Sequence, residues 1–171
     1  MQKSIVKTKT LAMAAVLIAL NIVIVRFLSI QTPVIRVGFG FVATSLNSML
    51  FGPFIGGISA FLADFLGMVI NSRGMAYFPG FGISEALYGI TYGLFLYKKA
   101  KSYKNIILCV TLQMIFIDLC LGTLWVYMMT ETPVWTIFLS RLINAAVLYP
   151  IKIFGIRYIW KYVGERYENR V

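Results

Sequence analysis

The sequence predicts an all-α integral membrane protein with six transmembrane helices and with both termini in the cytoplasm. Of its 171 residues, 60% are hydrophobic and only 13% are charged, about half the charged fraction of an average soluble domain. A helix needs ~20 apolar residues to cross the ~30 Å hydrocarbon core of a bilayer, and six such spans with short loops use up the chain. Residues 1–171 are therefore predicted to form a single membrane domain at the plasma membrane.

The predicted spans are separated by polar or turn-forming connectors. The first span follows three lysines and lacks a small-residue cleavage site, so it is interpreted as retained rather than as a signal peptide. Gly52 and Pro53 break the second span from the third, and Pro150 is predicted to kink the sixth. The spans are predicted roughly at residues 10–29, 36–51, 54–70, 82–97, 106–129 and 134–158.

The basic residues are concentrated on one side of this arrangement. The net charge is +10, and twelve of the sixteen Lys and Arg residues lie in the N-terminal segment, in the loop between the fourth and fifth spans, or in the C-terminal part of the chain. Basic loops stay in the cytoplasm, which places both termini there. Topology therefore accounts for the basic excess, and no nucleic-acid partner is expected.

The residue inventory argues against several classes of chemistry. The chain has no histidine, and its two cysteines, Cys109 and Cys120, define no disulfide framework. Histidine-containing catalytic triads and histidine-ligated metal sites are excluded. No catalytic residue, metal or cofactor is expected, although a small intramembrane enzyme and a stand-alone carrier or channel remain as less favoured alternatives.

Charged residues inside the spans are the first candidate ligand-binding groups, because each costs ~2.5–3.5 kcal/mol on insertion scales. All are predicted in the outer half or at the centre, which indicates a pocket that opens outward, and Lys152 is predicted to snorkel to the cytoplasmic interface. Arginines suit a carboxylate or phosphate, and carboxylates suit ring N–H or amino groups. The candidates are Arg26, Arg36, Asp64, Glu85, Asp118 and Arg141, together with Arg73 in the loop between the third and fourth spans.

Several of these residues also have structural explanations. Arg36 can serve as an interfacial anchor, and Arg26 can snorkel outward. Asp64 and Asp118 can be structural partners of Arg141 or of neighbouring amides.

Aromatic and amide side chains add to the predicted pocket. An outer loop stiffened by proline can cover a flat ring by stacking, or its rings can form an interfacial belt; its candidates are Tyr77, Phe78, Pro79, Gly80 and Phe81. Asp118 and Trp125 are seven residues apart and share a helix face. Arg141 and Asn144, three residues apart, share another face.

A stripe of small residues lies near the cytoplasmic end of the first span. Ala12, Ala15 and Ala19 recur at helical spacing, and such a stripe lets another helix approach closely. It is a candidate partner interface, with internal packing as the alternative.

The chain resembles the substrate-binding S component of an energy-coupling factor (ECF) vitamin transporter, most of all its folate-specific branch. The resemblance covers about residues 10–165 and rests on the length, the six spans, the alanine stripe and the lack of an ATPase. The matching strings are residues 26–33 (RFLSIQTP), 36–41 (RVGFGF), 50–53 (LFGP), 77–81 (YFPGF) and 88–94 (YGITYGL).

This resemblance implies a high-affinity folate binder that works with a membrane coupling protein, the T component, and two cytoplasmic ATPases. Such S components are thought to topple in the membrane, and Ala15 and Ala19 would dock on the coupling protein. The arginines would then meet the glutamate carboxylates of folate. The segments after two of the strings, residues 42–44 and 82–85, depart from the expected pattern, so hydroxymethylpyrimidine, pantothenate and thiamine remain alternative ligands.

Overall fold

The fold is an assembly of helices with one very short β-ladder. The computed structural model describes residues 8–27, 30–31, 36–70 and 78–164. Two-residue strands β1 (Ile30–Gln31) and β2 (Arg36–Val37) pair antiparallel. π-helical turns at Gln113–Leu121 join α4 to α5, and those at Trp160–Gly164 extend α6. The helices are α1 (Thr8–Phe27), α2 (Gly40–Ile70), α3 (Pro79–Leu96), α4 (Tyr103–Leu112), α5 (Gly122–Thr130) and α6 (Val134–Ile159).

Three helical stretches of the described chain are long and apolar enough to cross a membrane. They are Gly40–Ile70, Tyr103–Thr130 and Val134–Gly164, and Ala12–Val25 forms a shorter apolar helix. The structure therefore has the helical, apolar character that the sequence predicts. The six-span count and the side of the termini stay predictions.

Helix α2 reverses direction at Gly52. This residue has φ 90° and ψ 178° inside the helix, a backbone conformation that glycine adopts without a Cβ clash. Gly56 on the second half packs directly on Ser48 of the first half, whereas residues eight apart in a straight helix are ~12 Å apart. The halves 40–51 and 53–70 therefore fold back on each other, at the break that the Gly-Pro pair predicted.

The second half of α2 packs on α3 with almost no side chain between the two backbones. A Cβ added to Gly89 would collide with the backbone of Gly56, and one added to Gly93 would collide with the backbone of Pro53. Small residues allow this approach, which maximises van der Waals contact where lipid supplies no hydrophobic driving force. The contact holds the second half of α3 in a fixed position relative to α2.

A compact core lies at the end of the bundle that carries the basic loop between α3 and α4. It joins α2, α3, α4, α6 and the π-helical end of α6, through Met49, Tyr92, Leu96, Ile106, Cys109, Val110, Ile153, Ile156 and Trp160. The Lys101 ammonium lies 3.8 Å from the centre of the Trp160 ring, and Arg157 Nη1 donates to the Lys101 carbonyl at 2.7 Å. These contacts fix the loop over the core and close this end of the bundle.

Candidate binding site

An aromatic cluster forms where α3 begins beside α5. Pro79 occupies the first turn of α3, where its missing N–H costs nothing, and it is exposed. The Phe78 ring lies 5.7 Å from the Trp125 ring and 6.0 Å from the Phe81 ring. A Cβ on Gly80 would collide with the Phe78 ring and crowd Trp125. The structure therefore brings Phe78, Phe81 and Trp125 together over Gly80.

The Trp125 indole is fixed by a hydrogen bond. Its Nε1 donates to Ser84 Oγ at 3.0 Å, and the Ser84 side chain is buried. Because the bond joins α5 to α3, it holds the ring plane at the edge of the aromatic cluster. The sequence interpretation missed Ser84, although a part-buried tryptophan needs an acceptor and Ser84 lies one turn after Phe81.

A charged cluster lies deeper, between the π-helical segment and α6. Lys152 Nζ lies 3.3 Å from Asp118 Oδ2, with side chains only 11% and 29% exposed. Lys152 Nζ also lies 4.9 Å from the centre of the Tyr88 ring. The prediction that Lys152 snorkels to the interface is therefore wrong: its ammonium pairs with a carboxylate inside the bundle. Lys152 lies eleven residues after Arg141, about three helical turns. This spacing is the sequence signal that could have placed Lys152 in the same cluster as Arg141.

Arg141 joins the same cluster through a different atom of Asp118. Its Nη1 donates to the backbone oxygen of Asp118 at 3.1 Å, so Lys152, rather than Arg141, pairs with the carboxylate. Gly122 makes room for this contact, because a Cβ there would collide with the guanidinium. Gly122 N bonds to the Ile117 carbonyl, five residues back. This π-helical pattern is frequent at functional sites.

Asn144 presents an unsatisfied polar atom one turn after Arg141. Its Oδ1 is buried and has no hydrogen-bond partner in the described part of the chain, and Thr123 Oγ1 on α5 is in the same state. Buried polar atoms are normally paired, so a ligand with donor groups is a natural partner for them.

The remaining predicted residues divide into three groups. Asp64 on α2 and Glu85 on α3 are half-buried. Arg26 lies in the last turn of α1, and Arg36 pairs with Gln31 in the β-ladder, but their side chains lie outside the description. Arg73 and Tyr77 lie outside the described residues altogether.

The arrangement suits recognition of a ligand. It offers flat rings, cations and carboxylates, and no group of three or more His, Cys, Asp or Glu side chains that could hold a metal occurs within residues 8–27, 30–31, 36–70 and 78–164. The fold and this cluster define a multi-pass helical membrane protein with a polar site inside its bundle.

The comparisons with known proteins identify the family. The family described as "ECF transporter, substrate-specific component" matches residues 9–160, and the chain belongs to it, which confirms the resemblance seen in the sequence. Over 157 residues, 92% of this chain and 91% of its relative, the chain is 40% identical to the "Folate transporter FolT" of Clostridium novyi (strain NT). The crystal structure of FolT bound with folic acid is also similar, with a TM-score of 0.83 and 34% identity over 89% of this chain and 92% of that one.

Proposed function

We propose that this S component binds folate with high affinity and delivers it to an ATP-driven ECF importer. The observation that carries the proposal is the 40% identity to a folate transporter across nearly the whole chain, supported by the similarity to a folate-bound relative. The protein performs no covalent chemistry and needs no metal or cofactor. Thiamine, pantothenate and hydroxymethylpyrimidine are the competing ligands.

The site geometry suggests where each part of folate binds. The pterin ring is flat and carries N–H and amino donors, so it fits the aromatic cluster around Trp125 and the acceptor Asn144 Oδ1. The carboxylates of Asp64 and Glu85 are assigned to accept hydrogen bonds from the ring. Tyr77, Pro79 and Gly80 complete the wall of the outer loop next to Phe78 and Phe81.

The anionic tail of folate is assigned to the arginines. Lys152 balances the Asp118 carboxylate, and Arg141 donates to the backbone carbonyl of Asp118 rather than to its carboxylate. The guanidinium of Arg141 therefore keeps its charge for a carboxylate of the glutamate tail, together with Arg26, Arg36 and Arg73. Asp118, first assigned to the ring, is better explained as the group that orients Arg141 and Lys152.

The proposed topology has six crossings with both termini in the cytoplasm. It is supported by the reversal of α2 at Gly52, which turns one long helix into two antiparallel halves, and by the lysines of the basic loop. Single cysteines placed at Lys99 and at Thr132 in a cysteine-free variant should be labelled by a membrane-impermeant maleimide from opposite sides of sealed vesicles.

The proposed partners are a membrane T component and two cytoplasmic ATPases. On α1 the side chains of Ala12, Ala15 and Ala19 are exposed, whereas Ala14 and Leu17 are buried against the bundle. The alanine stripe thus faces away from its own bundle, and it offers a smooth surface for a helix of the T component.

Tryptophan fluorescence of the detergent-purified protein tests the ligand. Folate should quench Trp125 saturably at nanomolar concentration, and reduced folates but not thiamine or pantothenate should compete. The matched controls are Trp135→Phe, which should keep the quenching because Trp135 is 73% exposed on α6, and Trp125→Phe, which should lose it. Calorimetry that detects binding of another vitamin but no binding of folate would contradict the proposal.

A further inference from the structure

A second concave surface lies at the basic end of the bundle, apart from the polar site. It is an open groove of about 880 Å³ on the outer face of α6 and the start of α4. Among the described residues, none of the aromatic or charged residues of the candidate binding site lines it. Its principal lining side chains are Tyr103, Phe154, Arg157, Tyr158, Lys161 and Tyr162.

The groove changes from apolar to basic along α6. Pro150, Ile151 and Phe154 line its first part, and the Phe154 side chain is 65% exposed. Lys161 lies eleven residues after Pro150, a rise of ~16 Å. This length is about half of the ~30 Å hydrocarbon core, comparable to one leaflet of the bilayer.

The polar end holds cations that are already positioned. Arg157 Nη1 donates to the Lys101 carbonyl at 2.7 Å, and its guanidinium lies 5.6 Å from the centre of the Tyr103 ring. Lys161 Nζ lies 5.9 Å from the centre of the Tyr162 ring. No acidic residue is among the described residues that line the groove. The end is therefore suited to an anion at the depth of the lipid headgroups.

We propose that this groove binds one anionic phospholipid. Its phosphate lies between Arg157 and Lys161, the tyrosines contact the glycerol region, and an acyl chain lies along Pro150 and Phe154. Tyrosine is enriched at the level of the headgroups, and basic residues at the surface attract anionic lipids. A soluble phosphate would leave the apolar half of the groove empty, and a zwitterionic lipid would leave the two charges unbalanced.

Native mass spectrometry of the detergent-purified full chain tests the proposal. The protein is mixed with equal amounts of phosphatidylglycerol and phosphatidylcholine of the same chain length. Wild type should retain phosphatidylglycerol in preference. Lys161→Gln should lower this preference about fivefold, the effect of one surface cation, and adding Arg157→Gln should lower it further. The matched control is Lys98→Gln with Lys99→Gln, which removes the same charge from the adjacent loop and should change the preference less than twofold.

Three results would overturn the proposal. One is an unchanged lipid preference in Lys161→Gln, a substitution of an exposed side chain. Another is an equal loss in the loop control, which would indicate diffuse attraction. The third is displacement of the lipid by glycerophosphoglycerol, the headgroup without acyl chains, at equal concentration. If Lys161→Gln keeps the wild-type preference for phosphatidylglycerol but no longer assembles with the coupling protein, the groove is a protein interface and not a lipid site.

Discussion

The Asp118–Lys152 ion pair gives the sharpest prediction about stability. The two charges lie 3.3 Å apart, and the lysine side chain is 11% exposed while the aspartate side chain is 29% exposed. Breaking a buried pair leaves the remaining charge without compensation, at about 3–5 kcal/mol. Asp118→Asn leaves the more buried charge, that of Lys152, without a partner and should lower the free energy of unfolding by about 3 kcal/mol. Lys152→Met leaves the more exposed charge, that of Asp118, without a partner and should lower it by about 2 kcal/mol.

The double variant decides whether the pair itself is responsible. With both charges removed no ion remains to be desolvated, so Asp118→Asn with Lys152→Met should cost about 1 kcal/mol or less. For a chain of this size 1 kcal/mol corresponds to about 2–4 °C in the unfolding midpoint. Asp118→Asn should therefore lower the midpoint by about 6–12 °C in detergent, and the double variant should recover most of this loss.

The assay is thermal unfolding followed by circular dichroism, without and with saturating folate. Lys104→Met is the matched control, because this lysine is exposed in the first turn of α4, and its midpoint should stay within about 2 °C of wild type. Additive losses in the double variant would refute the reasoning, since independent sites add and coupled ones do not. A larger loss in Lys152→Met than in Asp118→Asn would refute the burial argument.

Three further predictions concern the aromatic cluster, the α2–α3 contact and the alanine stripe. Ser84→Ala removes the acceptor of Trp125 Nε1 and should weaken folate binding about five- to tenfold, the loss of one hydrogen bond; unchanged affinity by calorimetry would contradict it. Gly89→Ala should lower the unfolding midpoint by about 4–8 °C through overpacking, whereas Gly38→Ala, with nothing within 4 Å of its Cβ, should not. Ala15→Leu should keep folate affinity but lose co-purification with the T component. Retained co-purification would exclude the alanine stripe as the interface with the T component.

Local sequence signals predicted the fold where the cause is local. Apolar composition predicted a helical membrane protein, and the Gly-Pro pair at residues 52 and 53 predicted the reversal in α2 because only glycine adopts φ 90° there without strain. The matching sequence strings, which all lie within residues 26–94, predicted the family because several of them occur together in one chain.

Pairings between distant residues could not be predicted in the same way. Lys152 lies 34 residues after Asp118, and the rule that lysines snorkel to the interface takes no account of a carboxylate on a neighbouring helix. Arg141 was paired with carboxylates for the same reason, whereas the π-helical geometry presents a backbone oxygen to it. The roles of the site residues toward a ligand stay predictions.

The two ends of the bundle differ in a way that bears on release of the ligand. The compact core lies between the charged cluster and the basic loop, and Leu96, Ile106 and Ile156 in it are fully buried. Along the α4–α5 helix, Ile106 precedes Asp118 by twelve residues, a rise of ~18 Å. A water-filled path toward the basic end would have to hydrate these three side chains, at about 1.5–3 kcal/mol each. Because hydration of these three side chains would cost about 5–9 kcal/mol in every transport cycle, we expect the core to stay packed throughout transport.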